Sequence, residues 1–285
     1  MEETMKNLEL QKRANDVRKG IVTAVHGAKA GHPGGSLSAA DIFTFLYFEE
    51  MNIDPKNPDM EERDRFVLSK GSYSSRTLFR TGLQRIFPGR GSAYSASPGF
   101  LSAGSIPASI IPGVDMSSGS LGQGISAAVG MALGAKMENR DFRVYTLLGD
   151  GEIEEGQVWE AAMFAGFRKL DNLCVMVDNN NLQIDGPIDQ VCSPYPIDKK
   201  FEAFNFHVIN ADAHDFDAIR AAFKEARETK GMPTCIVFHS LKGKGVSFME
   251  NSVDWHGKAP NDEEYAVAMA DLDKIEKELE KAGEQ

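Results

Sequence analysis

The sequence predicts an α/β fold: a doubly wound, mostly parallel sheet with helices on both faces. The first observation is an apolar run at residues 143–148 that stops at the turn Gly149-Asp150-Gly151. The second is a helical pattern at residues 158–167, followed by another apolar run at residues 173–177. Strand, helix and strand in this order build parallel sheets, and continuously apolar strands are typical of sheets covered on both faces.

The amino-terminal part supplies helices around this unit. Residues 1–30 carry an apolar stripe at helical spacing and end at the glycine-rich segment GHPGG, residues 31–35. A new helix is predicted from about Ser36, and residues 64–71 form a short buried strand that ends in glycine. Residues 73–87 are predicted to return to helix. The glycine-, serine- and proline-rich residues 88–113 form a connection longer than usual, which favours a functional loop.

The remaining elements follow the central unit or directly precede it. GSLGQG, residues 119–124, opens a helix of small residues that reaches residue 137, a pattern typical of close backbone approach to a ligand. Residues 189–198 are predicted as a loop over the site, and residues 206–209 and 234–239 as strands. A helix at residues 215–228 is predicted to be capped near Asp212 or His214. An acidic helix at about residues 262–283 completes the chain, which we interpret as one domain, residues 1–285.

Composition narrows the class of protein. A chain of 285 residues holds one large α/β domain with a sizeable core. The net charge of −11 disfavours nucleic acid or an anionic membrane as a partner. Three scattered cysteines lack metal-binding spacing and indicate a reducing compartment. With no signal peptide and no apolar run long enough to span a bilayer, the expected location is the cytoplasm.

Polar side chains follow both central strands. Asp150 offers a carboxylate and Asn180, 30 residues later, offers an amide oxygen. Both suit Mg²⁺ or Ca²⁺. A carbonyl from the segment Asn181-Leu182 and a diphosphate would complete the shell, and glycines at 149 and 151 let backbone amides approach phosphate oxygens. The GDG turn alone, or the asparagine run alone, also fits an ordinary turn or loop. Together, at the ends of two buried strands, they predict a ligand site.

These residues also carry a family resemblance. GDG followed about 30 residues later by NN is similar to the thiamine-diphosphate signature, and GDGEIEEGQVWEAAMFAG resembles transketolases, in particular the amino-terminal subunit of split transketolases. The similarity extends from about Arg18 to Pro260. It implies the diphosphate-side module of a thiamine-diphosphate- and Mg²⁺-dependent enzyme. Such an enzyme transfers a two-carbon ketol unit from a ketose to an aldose.

The resemblance also implies residue roles. Mg²⁺ would be held by Asp150, Asn180 and the Leu182 carbonyl, with Gly149 and Gly151 at the diphosphate. His32 and His256 would lie at the cofactor and substrate, where they would steer protons because imidazole titrates near working pH. Gly119 and Leu121 would contact the aminopyrimidine of the cofactor. Glu155 would belong to a proton relay at a subunit interface.

Two alternatives stay open on composition alone. Glu155 equally fits a solvent-facing helix carboxylate beside Glu152 and Glu154. Lys242 and Lys244 fit either a phosphate site or a solvated basic loop.

The resemblance further implies a second chain. A carboxyl-terminal transketolase subunit would supply the pyrimidine-binding domain and its activating glutamate, in an α2β2 assembly. Two positions depart from the family pattern: Ser72 and Ser105 stand where histidines line the substrate channel. We therefore expect an unusual donor, such as a sulfonated or otherwise modified sugar or a 2-oxo acid. A non-catalytic cofactor-binding subunit is the alternative.

Overall fold

The fold was analysed in a computed structural model that describes residues 2–70, 115–116 and 120–284. The predicted helix at 73–87, the loop at 88–113, Ser72, Ser105 and Gly119 lie outside these residues. The strands in the described ranges are β1 (Arg65–Leu68), β2 (Val144–Gly149), β3 (Leu173–Asn179), β4 (Leu182–Gln183), β5 (Gly186–Pro187), β6 (His207–Asp212) and β7 (Thr234–His239). Five of them pair in parallel in the order β1-β2-β3-β7-β6, and β4 and β5 form a small antiparallel ribbon.

Helices surround the sheet. They are α1 (Glu2–Ala28), α2 (Pro33–Ser38), α3 (Ala40–Phe45), α4 (Gln123–Met137), α5 (Gly156–Phe167), α6 (Ile188–Val191), α7 (Ile197–Ala203), α8 (Phe216–Glu228) and α9 (Asp262–Gly283). A π-helical turn, Leu46–Glu50, continues α3, and short 3₁₀ turns lie at Glu152–Glu154 and Val253–Trp255. Within residues 2–70 and 120–284, no helix combines the length and apolar character that crossing a bilayer requires.

The two faces of the sheet bury separate cores. Along β2, Tyr145 and Leu147 pack with α1, α3, α8 and α9, whereas Val144 and Leu148 pack with α4, α5 and α7. Alternate side chains of a strand point to opposite faces, so a strand covered on both sides is apolar throughout. The predicted doubly wound α/β fold is therefore confirmed.

The sheet brings the carboxyl ends of its central strands to one edge. The last paired residue of β2, Gly149, lies opposite Asp178 in β3, and Asp178 lies opposite Phe238 in β7. The GDG turn, the asparagine run and the segment Ser240–Gly245 therefore all leave the sheet at this edge, where open α/β sheets bind ligands.

Several boundaries differ from the sequence prediction. The second helix begins at Pro33 and not near Ser36, because proline has a φ angle suited to the first helical turn. Residues 189–198, predicted as a loop, include parts of α6 and α7. Asp215 caps α8 by accepting a hydrogen bond from the Asp217 amide, which places the cap directly after His214 and not at Asp212.

A buried charged cluster joins α1, α3 and the turn before α8. Asp41 accepts hydrogen bonds from Arg18 Nη1 at 3.1 Å and from His214 Nδ1 at 2.7 Å. Burial alone would raise the pKa of Asp41, but the Arg18 guanidinium and the His214 hydrogen bond lower it to about 2. His214 Nε2 in turn accepts a hydrogen bond from the Leu241 amide at 2.9 Å, so the cluster also holds the loop after β7.

We expect Asp41→Asn to destabilise the folded chain by about 2 kcal/mol at pH 7. The folded pKa of Asp41, about 2, lies below the ordinary value of 3.8, so the carboxylate stabilises the fold above pH 3.8. This contribution is lost as the pH falls towards 2, so the difference in unfolding free energy between wild type and Asp41→Asn should narrow below pH 4. Urea unfolding at several pH values measures this free energy. Asp273→Asn, at a half-exposed ion pair with Lys19, is the control and should change stability little. Equal effects of both substitutions would contradict the prediction.

Candidate functional site

Asp150 lies directly after β2 and is only 3% exposed. Its Oδ1 accepts a hydrogen bond from the Gly151 amide at 2.9 Å. Its Oδ2 accepts from the Asn181 amide at 2.6 Å and from Asn179 Nδ2 at 3.1 Å. Burial and the nearby Asp178 carboxylate raise the pKa of Asp150 to about 6. The two strand ends are therefore bonded together at this carboxylate.

Asn180 and Leu182 present further oxygens beside it. Asn180 is 7% exposed, and its Oδ1 accepts a hydrogen bond from the Leu182 amide at 3.2 Å. The residue between them, Asn181, has a φ of 65°, a left-handed conformation that asparagine tolerates better than most residues and that turns the chain back towards Asp150. The Leu182 carbonyl accepts a hydrogen bond from Lys242 Nζ at 2.8 Å.

These three oxygens fit a hard divalent cation. Asp150 makes no ion pair with any residue in the described part of the chain, so a cation would offset the cost of its burial. No group of three or more His, Cys, Asp or Glu side chains suited to a metal occurs within the described ranges. One carboxylate, one amide and one carbonyl form an all-oxygen set of the kind that Mg²⁺ and Ca²⁺ prefer, with positions left for phosphate or water.

A buried ion pair lies behind this set. Asp178 is fully buried and is contacted by the Lys70 ammonium, Ser240 Oγ and Ser38 Oγ. Burial alone would raise the pKa of Asp178, but Lys70 lowers it. Lys70 Nζ also donates to the Gly35 carbonyl at 2.8 Å, which ties the GHPGG segment to the strand ends.

The histidines His32 and His256 lie side by side. Their ring centroids are 5.4 Å apart in an edge-on arrangement. Burial and the Lys242 ammonium lower the pKa of both rings, that of His256 to about 3. The expectation that these rings titrate near working pH therefore fails for His256, because burial beside a cation disfavours a charged imidazole. A neutral ring can still hydrogen-bond.

Lys242 is buried, which decides against the solvated loop that the sequence left open. It is only 2% exposed. Its ammonium contacts the Leu182 carbonyl and, at 2.9 Å, His256 Nδ1. Burial lowers the pKa of Lys242 to about 8, against the opposing effect of Asp150. Lys242 therefore lies in direct contact with one of the predicted metal ligands, Leu182.

Glu152, for which no role was predicted, is also buried. It is 2% exposed, and it accepts hydrogen bonds from Ser69 Oγ at 2.5 Å, the Gly122 amide at 2.8 Å and the Gly149 amide at 3.0 Å. Burial raises its pKa. The amides of Gly149 and Gly151 thus serve carboxylates of the chain itself, and their contact with a diphosphate stays a prediction.

The glycines before α4 allow a close approach, but to the protein. A side chain at Gly124 would place its Cβ 2.6 Å from the Ser69 Cα, so the helix start packs directly on the end of β1. Gly122 has a φ of 78°, in the left-handed region that favours glycine. At Gly124, therefore, the small residue allows close contact with Ser69, directly after β1, and not with a ligand.

Two further predicted residues, Leu121 and Glu155, lie at the surface of this chain. Leu121 is 39% exposed, and Glu155 is exposed at the start of α5. The segment between α6 and α7 brings Tyr195 to the site, where its hydroxyl accepts from Asn179 Nδ2 at 2.8 Å and donates to Asn181 Oδ1. The structure thus assembles Asp150, Asn180, Leu182, His32 and His256 at one edge of the sheet.

Known proteins match this chain along almost its whole length. Residues 10–273 match the family model described as transketolase, thiamine diphosphate binding domain. A 6-deoxy-6-sulfo-D-fructose transketolase subunit from Clostridium sp. (strain MSTE9) is 41% identical over 267 residues, which cover 94% of this chain and 97% of that subunit. An apulose-4-phosphate transketolase subunit from Phocaeicola vulgatus is 38% identical, over 97% of this chain and 98% of that subunit.

A solved transketolase structure has a similar fold. Transketolase from Campylobacter jejuni superposes with a TM-score of 0.80 at 31% identity, over 92% of this chain. This chain spans 42% of that transketolase. The chain therefore belongs to the transketolase family, in its thiamine-diphosphate-binding domain, and resembles the amino-terminal subunit of a split transketolase.

Proposed function

We propose that this chain binds Mg²⁺ and thiamine diphosphate and, with a partner chain, transfers a two-carbon ketol unit from a ketose to an aldose. The observation that carries the proposal is the edge of the sheet where Asp150, Asn180 and the Leu182 carbonyl lie beside the neutral histidine pair. An oxygen set for a hard cation and uncharged hydrogen-bonding groups together suit a phosphorylated cofactor and a sugar substrate.

The cofactor, when bound, supplies the carbanion chemistry of ketol transfer. The chain's own part is to hold and orient. Asp150, Asn180 and the Leu182 carbonyl would bind the metal, and Lys70 with Asp178 fixes the GHPGG segment that carries His32.

The tautomer of His256 follows from its partner. Its Nδ1 accepts a hydrogen bond from Lys242 Nζ, so the proton of the neutral ring is on Nε2. This N–H is a donor for a substrate hydroxyl or carbonyl oxygen. With a pKa of about 3, the ring stays neutral throughout the working range and acts by hydrogen bonding.

The partner would be a carboxyl-terminal transketolase subunit that provides the pyrimidine-binding domain and its glutamate, in an α2β2 assembly. The two relatives just described are themselves named as subunits, which supports this part of the proposal. Leu121 and Glu155 are exposed on this chain, as residues that meet another subunit would be. We assign Glu155 to the proton relay across that contact.

A modified sugar is the donor we favour. Ser72 and Ser105 replace histidines of the family pattern, while the predicted metal ligands are all present. A relative at 41% identity is named for 6-deoxy-6-sulfo-D-fructose. Loss of two charge-assisted hydrogen bonds, each worth roughly 1.5–3 kcal/mol, should lower the use of an ordinary pentose phosphate by about a hundredfold or more.

The test is steady-state kinetics on this chain reconstituted with its partner subunit. Xylulose 5-phosphate, 6-deoxy-6-sulfo-D-fructose and apulose 4-phosphate serve as donors. We expect kcat/KM for xylulose 5-phosphate to be at least about a hundredfold below that for a modified sugar. The double variant Ser72→His, Ser105→His should narrow this difference.

Two outcomes would count against the proposal. Equal or better use of xylulose 5-phosphate by the wild-type pair would show that the serines are neutral replacements. Turnover by this chain alone, with no second polypeptide detected by mass spectrometry, would exclude the partner requirement.

A further inference from the structure

The loop after β7 holds Lys242 in a fixed place. The Gly243 amide donates to the Gly34 carbonyl at 2.9 Å, and the Asn251 amide donates to the Lys242 carbonyl at 2.8 Å. Gly243 has a φ of 78°, and a Cβ there would lie 2.1 Å from the Met249 carbonyl oxygen. The backbone on both sides of Lys242 is therefore tightly constrained.

The buried cluster around Asp41 braces the same loop. Arg18 Nε donates to the Lys244 carbonyl at 3.1 Å, and the Leu241 amide donates to His214. Lys242 is 2% exposed and both flanking residues are bonded to the core, so few other positions are open to an ammonium that here contacts the Leu182 carbonyl.

This position puts a cation next to the predicted metal ligands. The ammonium is 2.8 Å from the Leu182 carbonyl oxygen. Mg²⁺ binds oxygen at about 2.1 Å, so an ion on that same oxygen would lie within about 5 Å of the ammonium. Two cations at this separation in a buried region repel each other strongly.

The charges around Lys242 balance in the absence of a metal ion. The charged groups that act on Lys242 are Asp150, Asp178 and Lys70. With Lys242 itself these are two positive and two negative charges. A divalent cation alone would leave two positive charges uncompensated, whereas a cation that arrives with a diphosphate brings its own compensation.

We propose that Lys242 makes divalent metal binding at Asp150, Asn180 and Leu182 depend on the diphosphate, so that the metal alone binds weakly. The inference rests on the proposed metal site and adds a role for the lysine. Metal and diphosphate are then thermodynamically coupled: each raises the affinity for the other by the same factor.

The experiment measures Mn²⁺ binding to the full chain at pH 7 by electron paramagnetic resonance, with and without thiamine diphosphate. Lys242→Met keeps the length of the side chain and removes its charge. We expect Mn²⁺ alone to bind Lys242→Met at least about tenfold more tightly than wild type, and the coupling to the diphosphate to fall by a similar factor. Lys242→Arg keeps the charge and should keep the weak binding.

Three controls make the result specific. Lys244→Met, on the same loop, should leave Mn²⁺ binding unchanged. Asp150→Ala in the Lys242→Met background should remove the gain, and circular dichroism checks that each variant is folded. Unchanged or weaker binding of Mn²⁺ by Lys242→Met would overturn the inference. Since no turnover is measured, that failure is distinguishable from failure of the proposed ketol transfer.

Discussion

Asp150→Ala is expected to weaken binding of Mg²⁺ and thiamine diphosphate by at least about a hundredfold. The substitution removes the one charged group of the predicted metal set. It also leaves the Gly151 amide, the Asn181 amide and Asn179 Nδ2 without their acceptor, so the asparagine turn loses its anchor. Calorimetry on the chain reconstituted with its partner subunit measures both affinities.

The matched control is Asp185→Ala. Asp185 is exposed between β4 and β5, a few residues beyond the predicted ligands. The Asp185→Ala substitution should leave the affinities for Mg²⁺ and thiamine diphosphate as they are in wild type. A cofactor affinity in Asp150→Ala within threefold of wild type would show that Asp150 is not a metal ligand.

Glu152→Ala should destabilise the chain by about 2–6 kcal/mol, because it leaves the buried amide of Gly122 and the partly buried amide of Gly149 without an acceptor, at roughly 1–3 kcal/mol each. Ser69 loses its partner as well. The three donors come from the end of β1, the start of α4 and the end of β2, so the glutamate joins three segments around the site. Urea unfolding of the full chain gives the free energy.

Glu154→Ala is the natural comparison, since Glu154 lies two residues away, is exposed, and accepts a hydrogen bond from Gln183 at 3.0 Å. We expect its stability to differ from wild type by less than about 0.5 kcal/mol. Similar losses in both variants would mean that the buried hydrogen bonds of Glu152 are not what stabilises this edge.

The strands were predictable because parallel strands buried on both faces are apolar along their whole length. Residues 234–239 were predicted as a strand and form β7 with the same limits, and β3 extends two residues beyond the predicted 173–177. The extension, Asp178-Asn179, is polar, and no local pattern marks polar residues as strand. They belong to the sheet because they pair with Phe238 and His239 of β7.

Short connections were less predictable for a related reason. Residues 189–198 lack a long apolar period, so they suggested a loop although helices begin and end within them. Helices of four to seven residues have too few turns to show a periodicity. Their stability comes from anchors such as Ile188, Ile197 and Phe201, which are buried against the rest of the chain.

The sequence by itself determined the fold class and the predicted metal ligands, because both are written in local patterns: apolar strands, and a GDG turn and an asparagine run that each close one. The tertiary structure alone decided which charged residues are buried. Lys242 meets Leu182 across 60 positions, Lys70 meets Asp178 across 108, and Glu152 meets Ser69 across 83. The cost of burying a charge depends on partners that only the folded chain brings within a few ångströms, so local patterns did not show that Lys242, Lys70 and Glu152 are buried beside the predicted site.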